Sequence, residues 1–111
     1  MRTSADYQNG TLTISFFGEL DHYAASSALR AVELSVEEYM PRQCVLDFSG
    51  LSFMDSSGIA VILKAQRLLR QAGGDVSVQN AGEQVLRVLK LSGLGSMISS
   101  TNKNFEECET T

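Results

Sequence analysis

Two serines and a neighbouring carboxylate raise the first chemical question about this chain. In the run Leu51-Ser52-Phe53-Met54-Asp55-Ser56-Ser57-Gly58-Ile59, the apolar strand pattern Cys44-Val45-Leu46-Asp47-Phe48 gives way to helical spacing over residues 59–72. Asp55, Ser56, Ser57 and Gly58 therefore fall at a helix N-terminus. The first turn of a helix has unpaired N–H groups and a partial positive charge, which favour hydroxyl or carboxylate caps and can also hold a phosphate. The serines can be caps, a modification site, or both.

Other chemistries fit less well. A serine on a strand-to-helix turn has the placement of a hydrolase nucleophile. Here the Gly-x-Ser-x-Gly pattern is missing and the only histidine, His22, sits at the far end of the preceding strand-helix unit, so the nucleophile lacks a base. Asp47 and Asp55 suggest a phosphoacceptor aspartate, which needs clustered carboxylates around magnesium and a lysine. Asp6 and Asp21 do not complete that set by spacing, and a strand-end aspartate followed by a helix cap is the simpler reading. Gly93-Leu94-Gly95-Ser96 lacks the lysine of a phosphate loop and reads as a helix stop. Cys44 lies in an apolar strand pattern and Cys108 in a polar tail, which suits neither a metal site nor a disulfide.

The elements that must position Asp55 to Gly58 follow from periodicity and punctuation. Asn9-Gly10 suits a tight turn with positive φ between Tyr7-Gln8 and a strand over 11–17, in which Leu12, Ile14 and Phe16 alternate. Asp21 is a candidate cap for a helix running to about residue 39. Leu29, Val32 and Val36 share its apolar face, Ala25 and Ala28 allow close packing, and Pro41 marks its end. A strand over 43–48 precedes the central stretch. The helix after it closes at Gly73-Gly74, where a left-handed stop is expected. A short strand over 75–78 follows, and Asn80 can cap a helix over 83–91 that offers Val85, Leu86, Val88 and Leu89. Ser92-Gly93 ends it, Met97-Ile98-Ser99 can add a last strand, and a weak acidic helix is expected over 103–109. The order β-β-α-β-α-β-α with a β-α tail predicts an α/β fold: a mixed sheet of four to five strands with packed α-helices.

A length of 111 residues suits one domain, placed at residues 3–109. No apolar run is long enough for a membrane span, and the start lacks an apolar signal core, so a cytoplasmic protein is expected. A net charge of −4 without a basic cluster argues against nucleic-acid binding.

At about 100° per residue, Gly58, Val61, Ile62, Ala65, Leu68, Leu69 and Ala72 fall on one helical stripe wide enough to be the core face. Ile59 and Leu63 fall off it, towards Lys64, Arg67 and Arg70. Two large apolar side chains off the core face and close to a serine pair point to a docking surface.

Together, Gly18-Glu19-Leu20-Asp21-His22, the central Leu51 to Ile59 run and Leu91-Ser92-Gly93-Leu94 closely resemble bacterial anti-sigma factor antagonists, the small single-domain members of the STAS family. The resemblance covers about residues 7–107. It implies that the second serine of Asp-Ser-Ser-Gly, Ser57, is phosphorylated by the cognate anti-sigma factor, a serine kinase that brings the ATP, so that the chain itself needs no cofactor. The unphosphorylated form would bind that kinase and free the sigma factor, and a serine phosphatase would reset the switch. The partner-binding surface expected from it comprises Asp21, Met54, Asp55, Ser56, Ser57, Gly58, Ile59 and Leu63, with Asp55 and Ser56 shaping the turn and Gly58 permitting close approach. Two other readings are a STAS scaffold or transport-complex subunit using the same surface, and a small serine hydrolase using Ser57.

Overall fold

A computed structural model describes residues 1–98. The chain runs β1 (Arg2–Gln8), β2 (Thr11–Leu20), α1 (His22–Tyr39), β3 (Gln43–Met54), α2 (Ser56–Gln71), β4 (Asp75–Gln79) and α3 (Glu83–Leu91). The four strands form one mixed sheet in the order β1-β2-β3-β4, with β1 antiparallel to β2 and the other pairs parallel. The expected hairpin is present: Asn9 and Gly10 both have positive φ, at 53° and 83°, as a two-residue turn matched to strand twist requires.

Alternation along the strands sends Leu12, Ile14 and Phe16 of β2, Cys44, Leu46 and Phe48 of β3, and Val76 and Val78 of β4 into one core with the apolar faces of the helices. Phe16 and Phe48 meet edge to face, with centroids 5.4 Å apart. Helix α1 contributes Ala28 and Val32, and it stops at Met40, whose N–H still bonds to the Val36 carbonyl and whose left-handed φ of 45° then turns the chain out of the helix. Helix α2 buries Gly58, Val61, Ile62, Ala65 and Leu69, as the stripe predicts. Ala72, at the end of that stripe, is its exposed C-cap.

Three local expectations are corrected. The third strand does not end at Phe48 but continues to Met54. Two register shifts against β2, between the pairs at Ser15 and Phe17 and between those at Gly18 and Glu19, let extra β3 residues bulge out. Each bulge resets which face a side chain takes, so period-2 alternation fails although pairing continues. Asn80 does not cap α3. The N-cap is Gly82, without a side-chain bond, while Asn80 has a φ of 60° and donates from Nδ2 to Asp47 Oδ1 at 3.2 Å. The segment from Met97 is not a full strand: a 3-10 turn over Gly95–Met97 leads to a single parallel bridge between Ile98 and Val78. Ser99, the acidic helix expected over 103–109 and Cys108 lie outside the described residues.

Burial raises the Cys44 thiol from 9.0 to about 12. The folded chain holds that proton while the unfolded chain releases it, so stability should fall as pH rises above 9.0, by up to about 1.4 kcal/mol per pH unit. In a Cys108→Ser background, a thiol reagent at pH 8 should label Cys44 roughly a hundredfold more slowly than in the urea-unfolded chain. Equal labelling rates would show that the β3 core is open to solvent.

Candidate functional site

Strands β2 and β3 end level with each other. Leu20 and Met54 are register partners, and each is followed directly by an aspartate that caps the next helix. Asp21 Oδ1 accepts from the N–H groups of Tyr23 and Ala24, both at 3.0 Å. Asp55 Oδ1 accepts from the Ser57 N–H at 2.8 Å. The main chain of Asp55 ties the two starts together, since its N–H donates to the Leu20 carbonyl at 3.3 Å and its carbonyl accepts from the Gly58 N–H at 3.0 Å. Two helix N-termini thus open side by side at one edge of the sheet. Apart from the caps, neither first turn carries an acidic residue, so the local field from backbone N–H groups is positive.

Around this edge Ser56 is exposed, and Asp21, Asp55 and Ser57 are half-buried. Ser57, Ala60, Val61 and Lys64 line a mostly apolar groove of about 300 Å³ together with Ala25, Ser26 and Leu29 of α1. The structure therefore brings Asp21, Asp55, Ser56 and Ser57 together where a partner can reach them.

Met54 and Gly58 belong beneath that surface, which corrects their expected direct contact with a partner. Met54 is 0% exposed, and Gly58 is buried directly above it. A Cβ on Gly58 would collide with Met54 Cγ, lie 2.7 Å from its Sδ and 3.1 Å from Leu20 Cδ2. The close approach that glycine permits is between α2 and the ends of β2 and β3. The expectation for Ile59 and Leu63 is also divided. Ile59 sits about 60° around the helix from Ile62 and packs half-buried against the core, whereas Leu63, a further 40° on, is 42% exposed. Leu63 lines a shallow depression with Gln66, Arg67 and Arg70, about 120° around the helix from Ser57 and away from the α1 groove.

Sequence reasoning missed three residues at this edge. Tyr23, in the first turn of α1, is 90% exposed, and Phe53, beside the end of β3, is 38% exposed. Tyr23 had a legible signal, because it falls about 140° from Ala28 on the α1 helix, well off the apolar stripe. For Phe53 the alternation of Cys44, Leu46 and Phe48, carried on, already gives the face away from the core, but only for a strand that runs past Phe48, as this one does. The third residue is Gln84 of α3, whose Oε1 accepts from the Met54 N–H at 3.0 Å and whose Nε2 donates to the Met54 carbonyl at 2.9 Å. His22 is exposed and its ring lies edge-on to Tyr23 at 5.7 Å, so among the described residues no imidazole is bonded to Ser57. Asp47 accepts from Ser49 N–H and Asn80 Nδ2, which is the work of a turn anchor.

The sequence profile of the STAS domain matches residues 2–108. The chain is 32% identical over 94 residues to the anti-sigma F factor antagonist of Paenibacillus polymyxa, across 85% of this chain and 80% of the relative. Among solved structures it is similar to the anti-sigma factor antagonist SpoIIAA in its unphosphorylated form, with a TM-score of 0.79 and 26% identity, covering 98% of this chain and 96% of that one. It is similar also to the Bacillus cell fate determinant SpoIIAA in the phosphorylated form, with a TM-score of 0.71 and 25% identity, covering 99% and 100%.

Urea unfolding checks this division between surface and support. Asp55→Ala should cost about 1 kcal/mol through the lost cap, and Gly58→Ala about 1–3 kcal/mol through overpacking on Met54. Leu63→Glu should change stability by no more than about 0.5 kcal/mol, with Ile59→Glu clearly worse. Equal effects at 59 and 63, or a neutral Gly58→Ala, would contradict the placement.

Proposed function

The chain belongs to the STAS domain family, and on that footing we propose that it is an anti-sigma factor antagonist switched by phosphorylation of Ser57. The unphosphorylated chain binds an anti-sigma factor that is also a serine kinase, and the sigma factor is released. The kinase transfers the γ-phosphoryl group of its own ATP to Ser57 Oγ, ADP leaves, and the modified chain lets go. A serine phosphatase restores the hydroxyl. The chain acts as a binding module over residues 3–109, in the cytoplasm, with no catalysis or cofactor of its own.

One observation carries this reading: Ser57 occupies a capped first turn of α2 in a chain similar over nearly its whole length to a relative solved both without and with its phosphate. The physics supports it. A phosphoserine adds roughly 1.5 to 2 negative charges. At a helix N-terminus those charges meet unpaired N–H groups, so the fold tolerates them. A partner packed on Ser56, Ser57, Tyr23 and Phe53 would instead meet a hydrated dianion beside Asp55 and would have to desolvate it. A loss of ~3 kcal/mol weakens binding more than a hundredfold, enough for release without a large rearrangement.

Mixing the chain with the anti-sigma factor of its own genome and ATP tests this. Mass spectrometry should find one phosphate, on Ser57; modification of Ser56 or of an aspartate would contradict the assignment. Ser57→Ala should hold the partner persistently, and Ser57→Asp should bind it more weakly. Equal affinities would remove the charge argument.

A further inference from the structure

Strand β4 pairs with β3 only from Gln43 opposite Asp75 to Asp47 opposite Gln79. Past Asp47, β3 continues to Met54 with no strand on that side among the described residues. At Met54 the missing strand is replaced by a side chain. The Gln84 carboxamide takes both main-chain groups of Met54, accepting from its N–H at 3.0 Å and donating to its carbonyl at 2.9 Å, as a neighbouring strand would. On the opposite side, the next residue, Asp55, donates its N–H to Leu20. The last residue of β3 is thus fixed from both sides just before the Asp55 cap.

The fixation extends to the serine. The Met54 side chain is wholly buried and fills the space directly beneath Gly58, too close to admit even a Cβ there. Any shift of the Met54 backbone must therefore move Gly58, the residue after Ser57, or open a void under the first turn of α2. Asp55, bonded to the Ser57 N–H, moves with it.

We propose that Gln84 is a positioning residue for the phosphorylation of Ser57. By holding Met54, α3 sets the height and rotation of the first turn of α2 and thereby aims the Ser57 hydroxyl at the phosphoryl donor in the partner's active site. This rests on the Ser57 switch proposed above. A group that only stabilises the fold would change the amount of folded protein. One that aims a nucleophile changes the turnover of the bound complex, because small misplacements of a reacting atom slow transfer steeply.

The test compares Gln84→Met, which keeps length and loses both bonds, with Val88→Ala, which trims a half-buried side chain one turn along the same helix and leaves both Met54 bonds in place. In Gln84→Met, amide hydrogen exchange at Met54 should accelerate at least tenfold. The kcat for phosphorylation of Ser57 should fall about tenfold or more while KM stays within about twofold. Val88→Ala, even at an equal loss in Tm, should leave both readouts as in the wild type. If Gln84→Met does not fold, Gln84→Glu, which keeps an acceptor and loses the donor to the Met54 carbonyl, carries the same comparison. Unchanged exchange at Met54, an unchanged kcat, or an equal fall in kcat for Val88→Ala overturns the positioning role while the switch itself stands. Failure of the wild-type chain to be phosphorylated overturns the switch and the positioning role with it.

Discussion

Helix α2 starts where it does because Gly58 carries no side chain above Met54. The Met54 side chain fills the pocket at the paired ends of β2 and β3, and the helix backbone settles on it within a distance that any Cβ would violate. Much of the site geometry depends on that contact. It sets the level of the first α2 turn, and with it the distance over which Asp55 can cap Ser57 while its own N–H reaches the Leu20 carbonyl. It also makes the residue beneath the serine a core residue, so that the surface above inherits the rigidity of the core.

A second constraint is the parallel pairing of β2 and β3. Parallel neighbours joined by a crossover helix end at the same edge, so the helices that follow them also begin there. Asp21 and Asp55 are the same device used twice, each neutralising part of the N–H field at its own helix start. The surface thus sets two positive helix ends and two capping carboxylates beside the apolar groove between α1 and α2. The proposed switch therefore needs little conformational work: added charge alters what the surface can desolvate against, while the core beneath is indifferent to it.

The parts of this arrangement that depend on neighbours in sequence were legible from it. Capping is a local interaction, so Asp21 and Asp55 could be read as helix starts from residue type and spacing alone, as could the Asn9-Gly10 turn. The mixed sheet followed from element order. What was not legible depends on partners far along the chain. The bulges in β3 arise from pairing with β2, and they bury Leu51 while exposing Ser52, the reverse of what the alternation of Cys44, Leu46 and Phe48 gives at those positions. Asn80 has the residue type of a cap but takes a left-handed backbone and a bond to Asp47. Ile59 sits on the flank of a stripe whose width is set by what packs around it, and the Gln84 bond to Met54 spans thirty residues of sequence.

The central claim is that phosphorylation acts on the surface at the Ser57 edge and leaves the fold alone. Amide spectra of the free and Ser57-phosphorylated chain, recorded beside the affinity of each for the anti-sigma factor, test it most directly. The account predicts shifts confined to residues 53–60 and to Asp21, Tyr23 and their neighbours, unchanged resonances along β1, β2 up to Phe16 and β4, and an affinity more than a hundredfold weaker. Shifts spread through the β2 and β3 core, or equal affinities of the two forms, would contradict it.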